Sequence, residues 1–506
     1  MLDPSLETIR QWGDAAVKIV AQYLSSLRDR RVYPKTSATQ IREKLSRSLP
    51  IEGAGVGDLL KTFEEIILPL SRHNGHPRMF GYVQSPGIAI AAIADLLAST
   101  LNANLTAWRS APAAVEIEQL TIDWIKEILG MNPTATGLLV SGGSMANLAA
   151  MATARRAKTN SDIISKGAHV LPRVLRIYAS RETHHSVIKA AGLLGIGRDN
   201  VRLIDVDERF KIRIDHLVAC ITEDLGTGYL PFCVVANAGT VNTGAFDSLP
   251  EVSQVARRFN LWLHVDASYG GFAALAQSTK VLFGALSEAD SVALDPHKWL
   301  YLPIDCGCVL YQSAEAARAT FAHEAEYTRV LEQQPDEAFA YWDYGPELSR
   351  RFRALKIWMT LACVGTAALS EAIEQNLVCA RYLERLIRAS DDFEMLAPVE
   401  LSIFCFRYIP REMRHVLANA NETEQLRINS ELDALNERLL VALQQDGSSY
   451  LSNTRIGGRF SLRGCVLNYR TTPRDVEILL DDLRRLAAER NFGSRISDFG
   501  KNQKPN

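Results

Sequence analysis

Short apolar runs alternate with longer amphipathic stretches from about residue 110 onward. The runs Gly137–Val140, Val174–Ala179, Val201–Val206, Phe232–Ala236, Leu261–Val265, Ser291–Leu294 and Cys308–Tyr311 have the length and content of buried strands. Stretches such as Met145–Ala157 and Leu249–Phe259 have helical periodicity. This alternation predicts an α/β fold with a mostly parallel, seven-stranded sheet. Beyond about 370 the pattern becomes helix (Ala367–Ser390), strand (Leu401–Tyr408), helix (Glu422–Gln444), strand (Arg459–Val466) and helix (Arg474–Arg490), which suits a small α+β domain. Before residue 85 the chain reads as helices. Ile9, Trp12, Ala16, Ile19, Val20 and Tyr23 give the first of them an apolar face, and Leu59 to Leu70 forms a second amphipathic stretch. The expected division is a helical segment over 1–85, a large domain over 86–370, a small C-terminal domain over 371–490 and a mobile tail over 491–506.

The chain has 506 residues, 47% hydrophobic and 23% charged, enough for more than one core. A net charge of −2 gives no electrostatic argument for nucleic acid or an anionic membrane surface. The eight cysteines form no Cys-x-x-Cys pair, and Cys306-Gly307-Cys308 is too tight for zinc spacing, so no metal site is expected. Met1 to Arg10 lacks the apolar core of a signal peptide, and the apolar stretch from Gly87 to Leu101 is short of a membrane span. These features predict a cytoplasmic protein.

Chemistry gathers at the ends of the predicted strands. Leu261-Trp262-Leu263-His264-Val265 ends in Asp266, and Ser291–Leu294 leads into Asp295-Pro296-His297-Lys298-Trp299. Two parallel strands joined by a crossover helix are spaced that far apart, roughly 30 residues, so Asp266 and Lys298 should emerge at one carboxyl edge. A lysine that forms an imine and an acid that keeps a pyridine nitrogen protonated are the two halves of pyridoxal phosphate (PLP) chemistry. Val140-Ser141-Gly142-Gly143-Ser144 is a strand, a glycine turn and a helix start, whose free amides and Ser144 hydroxyl suit an anion. His184, in Thr183-His184-His185-Ser186, could stack on a flat ring or simply cap the next helix. Thr240 and Ser268 stand beside neighbouring strand ends. Each residue alone has an ordinary structural role; their order along successive strand ends makes the pattern.

The chain resembles the group II PLP-dependent amino-acid decarboxylases, typified by aromatic-L-amino-acid decarboxylase. The likeness runs through Arg31-Val32-Tyr33-Pro34, His76-Pro77-Arg78-Met79-Phe80-Gly81-Tyr82, Ser110-Ala111-Pro112 with Glu116-Ile117-Glu118, Leu263-His264-Val265-Asp266-Ala267, Pro296-His297-Lys298-Trp299-Leu300 and Arg350-Arg351-Phe352-Arg353, covering about residues 1–490. It implies fold type I and a homodimer with active sites at the interface, its N-terminal helices wrapping the partner. Lys298 would carry the cofactor and Asp266 would partner its pyridinium. His184 would stack on the ring, with Gly143, Ser144 and His297 at the phosphate and Thr240 and Ser268 around the ring. The resemblance also places a catalytic loop over Ala322 to Pro346. Within it Tyr341 takes the position of the tyrosine that protonates the α-carbon, with Tyr344 as the alternative. Substrate contacts fall on Tyr82, Ser85, Asn102, Asn104 and Thr106.

Two departures stand out. Asp295 occupies the place where aromatic decarboxylases usually carry Asn, and a carboxylate there repels phosphate unless it turns away or pairs with His297. Asn102-Ala103-Asn104-Leu105-Thr106 is more polar than in aromatic-specific members, as glutamate-specific ones are. The expected reaction is decarboxylation of an L-amino acid to its amine, with aromatic substrates (tryptophan, tyrosine, dihydroxyphenylalanine, phenylalanine) first. Glutamate or a diamino acid, an aldehyde-forming oxidative variant, and a non-catalytic binding homologue are the alternatives.

Overall fold

The computed structural model describes residues 2–45, 48–159, 163–323 and 339–490. They form two compact units, one of Val83–Ala380 with Ala397–Phe404, the other joining the chain up to Tyr82 to Arg381–Leu396 and the stretch from Cys405. The tail expected over 491–506 lies outside the described residues.

Seven strands build the sheet of the first unit: β1 (Thr136–Val140), β2 (Leu175–Ser180), β3 (Val201–Ile204), β4 (Leu230–Asn237), β5 (Trp262–Asp266), β6 (Ser291–Leu294) and β7 (Gly307–Tyr311). Their order is β1-β7-β6-β5-β4-β2-β3. β3, β2, β4, β5 and β6 pair in parallel, while β7 runs antiparallel to both β6 and β1. Each predicted strand is present, and the mostly parallel seven-stranded sheet is as expected. Strands β4 to β7 are almost wholly buried, which is why they read as continuous apolar runs rather than alternating ones.

One expected element differs. The β5–β6 crossover contains no α-helix; it runs through short 3₁₀ turns at Gly271–Leu275, Lys280–Phe283 and Leu286–Glu288. Gly271 explains the tight path, because a Cβ there would lie 2.3 Å from Leu294 Cδ2 on β6. Helix Ala354–Arg388 is long and apolar enough to cross a membrane by length and composition alone. Here Gly365 leaves helical geometry within it, and Ile357, Leu369, Ile373 and Leu377 are buried in the protein core.

In the second unit, β8 (Phe393–Met395), β9 (Ile403–Tyr408), β10 (Ser452–Ile456) and β11 (Arg459–Cys465) form a sheet in the order β10-β11-β9-β8. The N-terminal segment is tied to it. The amide of Phe80 donates to the Tyr450 carbonyl at 3.0 Å, and Arg28 pairs with buried Asp475 at 2.7 Å. Helix Leu6–Ser25 has no buried residue, and Ile9, Trp12, Val17 and Val20 lie exposed on it.

Arg350, in the Arg350-Arg351-Phe352 motif, is an internal brace of the first unit. Its guanidinium, with no exposed side-chain surface, pairs with the equally enclosed Glu118 and donates to the carbonyls of Leu105 and Leu139 at 2.9 and 2.8 Å. Glu118 also accepts the Leu139 amide of β1 at 2.9 Å. Removing one partner of such a pair strands a buried charge. Arg350→Met should therefore lower unfolding stability in urea by about 3–5 kcal/mol. A loss within the roughly 1 kcal/mol typical of surface pairs would show that the brace carries little.

Candidate active site

A cavity of ≈ 390 Å³ opens at the carboxyl ends of the parallel strands. Asp266 ends β5, paired in register with Asn237, which ends β4. Lys298 follows β6 on the one-turn helix Pro296–Trp299, and Ser141 to Ser144 follow β1. His184 follows β2 and caps helix His185–Leu193. All of these residues line the cavity.

Asp266 is 6% exposed. Its Oδ2 accepts from Asn147 Nδ2 at 2.8 Å and its Oδ1 from the Ser268 amide at 3.1 Å. Burial acts to raise its pKa, but these donors and the charge of Lys298 outweigh it and hold the carboxyl below its ordinary value. Below it, His264 is fully enclosed, and burial pushes its pKa down to about 4, so it is neutral near pH 7.

Helix Gly143–Lys158 begins at the cavity, so its first amides point there without intrahelical partners. Gly143 is a steric requirement, since a Cβ would lie 2.3 Å from Ser268 Oγ and 3.0 Å from Asp295 Oδ2. Ser268 Oγ is buried without a hydrogen-bond partner among the described residues. An amide cradle at a helix N-terminus, a spare hydroxyl, an ionised acid and a lysine are a set that fits PLP.

Asp295 resolves in an unexpected way. Its Oδ2 lies 2.8 Å from Lys298 Nζ, whereas Oδ1 stands 3.7 Å from His297 Nδ1. The lysine, more than the histidine, balances the carboxylate. The His297 Nδ1 is 2.6 Å from the Cys306 carbonyl, to which it donates. His184 caps its helix, its Nδ1 accepting the Ser186 amide, and it also lines the cavity. Burial, opposed by Asp266, holds its pKa below the ordinary value.

The structure brings Lys298, Asp266, His184, Gly143, Ser144, Ser268 and His297 together, and leaves other expected residues apart. Thr240 is buried in a turn, 3.0 Å from Thr243 Oγ1 and accepting the Ala245 amide; Gly239 and Val241 line the cavity instead. Ser85 donates to the His297 carbonyl at 2.8 Å without lining the cavity. Tyr82 packs beside Tyr450 and under Arg72. Asn102 ends helix Ala89–Leu101 in left-handed geometry. Asn104 accepts the Arg350 amide, and Thr106 accepts the Tyr341 amide through its carbonyl. None of these lines this cavity.

The proton-donor assignment to Tyr341 meets a physical obstacle. Tyr341 is fully buried among Val115, Leu138 and Val140, with Arg350 4.0 Å from its ring centre and no hydrogen-bond partner for its hydroxyl among the described residues. That burial raises its pKa strongly, and it does not line the cavity. Tyr344 stacks on Phe339 at 5.3 Å. Residues 324–338 of the expected loop lie outside the described residues. Sequence reasoning also missed Asn147 and Asn237. Asn147 carried a usable signal, because an Asn inside a helix is unfavourable unless its side chain has buried partners.

Comparison with known proteins agrees with this geometry. Residues 39–409 match the pyridoxal-dependent decarboxylase conserved domain. The chain is 35% identical to the aromatic-L-amino-acid decarboxylase of Bacillus atrophaeus over 96% of its own length and 97% of the relative's. It is 30% identical to 4-hydroxyphenylacetaldehyde synthase of Rhodiola rosea over 94% and 93% of the two chains. A crystal structure of Oryza sativa TDC with PLP and tryptamine superposes with a TM-score of 0.87 at 27% identity, covering 96% of this chain and 98% of that one. With the cradle, the buried acid and the lysine on one cavity, the chain belongs to the pyridoxal-dependent amino-acid decarboxylases, and PLP is its cofactor.

Proposed function

We propose that this enzyme decarboxylates aromatic L-amino acids to their amines. The convergence of Asp266, His184 and Lys298 on one cavity carries the reaction class, and the 35% identity to an aromatic-L-amino-acid decarboxylase supports the substrate class. Bound PLP supplies the sink for the electron pair released at the substrate α-carbon. Asp266, held ionised, would place negative charge against the ring nitrogen and keep it protonated. Lys298 would retain the cofactor between turnovers, and its Nζ lies 2.8 Å from Asp295 Oδ2. Gly143, Ser144 and His297 would hold the phosphate, and His184, its pKa lowered by burial, would pack on the ring without adding charge.

A tyrosine of the segment Ala322 to Pro346 protonates the α-carbon. With Tyr341 enclosed and Tyr344 stacked on Phe339, Tyr327, outside the described residues, is the third tyrosine of that segment and takes the role. Asn102, Asn104 and Thr106, apart from the cavity of their own chain, serve the partner's pocket in a cytoplasmic homodimer. The exposed apolar residues Ile93, Leu96, Leu97 and Leu101 of helix Ala89–Leu101 and the uncovered helix Leu6–Ser25 suit such an interface, and eight cysteines that form no disulfide suit a reducing compartment.

Products from a panel of L-amino acids test the reaction. Amine from tryptophan, tyrosine or dihydroxyphenylalanine is expected. Amine from glutamate or a diamino acid alone would move the substrate class, and aldehyde from the unmodified enzyme would place it with the oxidative variants. In the same assay Tyr327→Phe should shift product toward aldehyde while Tyr341→Phe and Tyr344→Phe do not; the opposite result restores Tyr341 or Tyr344.

Lys298→Ala should lose covalently held cofactor and nearly all turnover, and Asp266→Ala should slow carbon dioxide loss by orders of magnitude, both read in single-turnover experiments. A near-normal rate in either variant contradicts its role. Sedimentation velocity of protein recovered from the cytoplasmic fraction should show a dimer; a monomer, or recovery in another fraction, overturns the assembly or the location.

A further inference from the structure

Beneath the cavity runs a buried set of hydrogen bonds that joins Asp266 to His184. Asn147, 1% exposed, donates from Nδ2 to Asp266 Oδ2 at 2.8 Å and to Ser186 Oγ at 2.7 Å. Its Oδ1 lies 2.8 Å from His264 Nε2. His264 Nδ1 is 2.9 Å from Ser291 Oγ, which accepts the Trp262 indole N–H at 2.8 Å. At the other end Ser186 Oγ is 2.7 Å from His184 Nδ1.

The ends of this set fix its direction. An indole N–H can only donate, and an ionised carboxylate can only accept. Ser291, having accepted from Trp262, gives its own proton to His264 Nδ1. His264 is neutral, so its single N–H is on Nε2 and goes to Asn147 Oδ1. The opposite amide orientation would set Asn147 Oδ1 against the Asp266 carboxylate, two acceptors in contact. Ser186, having accepted from Asn147, donates to His184 Nδ1, which also receives the Ser186 amide at 3.3 Å. That nitrogen is left without a proton of its own.

We propose that Asn147 is a positioning residue that serves both catalytic groups at once, giving Asp266 a permanent donor and, through Ser186, locking His184 as the neutral tautomer protonated on Nε2. His184 then meets the cavity as a hydrogen-bond donor and an uncharged ring, never as a base through Nδ1. The inference rests on the assignment of Asp266 and His184 to the cofactor site. Its direct readout is a property of the protein, so it can fail separately from the substrate assignment.

The test is ¹⁵N NMR of the histidine-labelled holoenzyme, with the His184 signals assigned by their loss in His184→Gln. A pyridine-type Nδ1 and a protonated Nε2 are expected, and a protonated Nδ1 overturns the proposal. Ser186→Ala, which keeps Asp266 and Asn147 paired and leaves only the 3.3 Å amide contact on Nδ1, should admit a measurable fraction of the Nδ1-protonated tautomer; an unchanged tautomer shows that the amide alone holds it and overturns the role of Asn147. Asn147→Ala should weaken PLP binding by roughly tenfold or more through loss of a charge-assisted donor. Unchanged affinity together with an unchanged tautomer would also overturn it. Should that variant fail to fold, the unmodified enzyme and Ser186→Ala still decide.

Discussion

Everything at this site follows from keeping one carboxylate ionised inside the protein. Asp266 ends a strand buried along its whole length, where an uncompensated charge costs several kcal/mol. The surroundings meet that cost with donors and a nearby charge. Ser268 offers an amide, Asn147 a side-chain NH₂, and Lys298 a nearby positive charge. Two imidazoles close by, His264 and His184, are both biased toward the neutral form by burial. Neutral donors hold the acid without cancelling its charge, which leaves that charge free to act on a cofactor ring.

The sheet turns this local requirement into a site. Parallel strands point their carboxyl ends the same way, so successive βα turns deliver an acid, an anion cradle and a lysine to one edge. Close approach of backbone is needed for this. A Cβ on Gly307 of β7 would lie 2.4 Å from the Gly142 backbone, and one on Gly143 would strike Ser268. The glycines of the turn therefore serve packing against β7 and β5 as much as room for phosphate. Arg350 and Glu118 brace the same region from within, through β1.

The large sheet was legible because burial on both faces turned its strands into apolar runs. β8 was not, being three residues long, nor was β10, Ser-Asn-Thr-Arg-Ile, whose centre faces solvent. The β5–β6 crossover was misread because spacing alone cannot separate a helix from 3₁₀ turns. Within the site, residues adjacent to a strand end in sequence were found, whereas Asn147, a turn into its helix, reaches Asp266 only in three dimensions. Tyr341 is a related case. Position in a motif places the backbone, but the side chain went to an apolar cluster beside β1.

Asp295 shows how one departure from the family pattern can be absorbed. A carboxylate beside a phosphate cradle is unfavourable in isolation. Here it is 3% exposed, with Oδ2 on the Lys298 ammonium and Oδ1 near His297 but without a hydrogen-bond partner among the described residues. The pair is compact because Asp295 and Lys298 are three residues apart across a single helical turn that Pro296 starts. An asparagine at 295 could still orient the lysine but would leave its charge to be balanced by Asp266 alone. With two acids and one lysine, this chain shares that charge between Asp266 and Asp295.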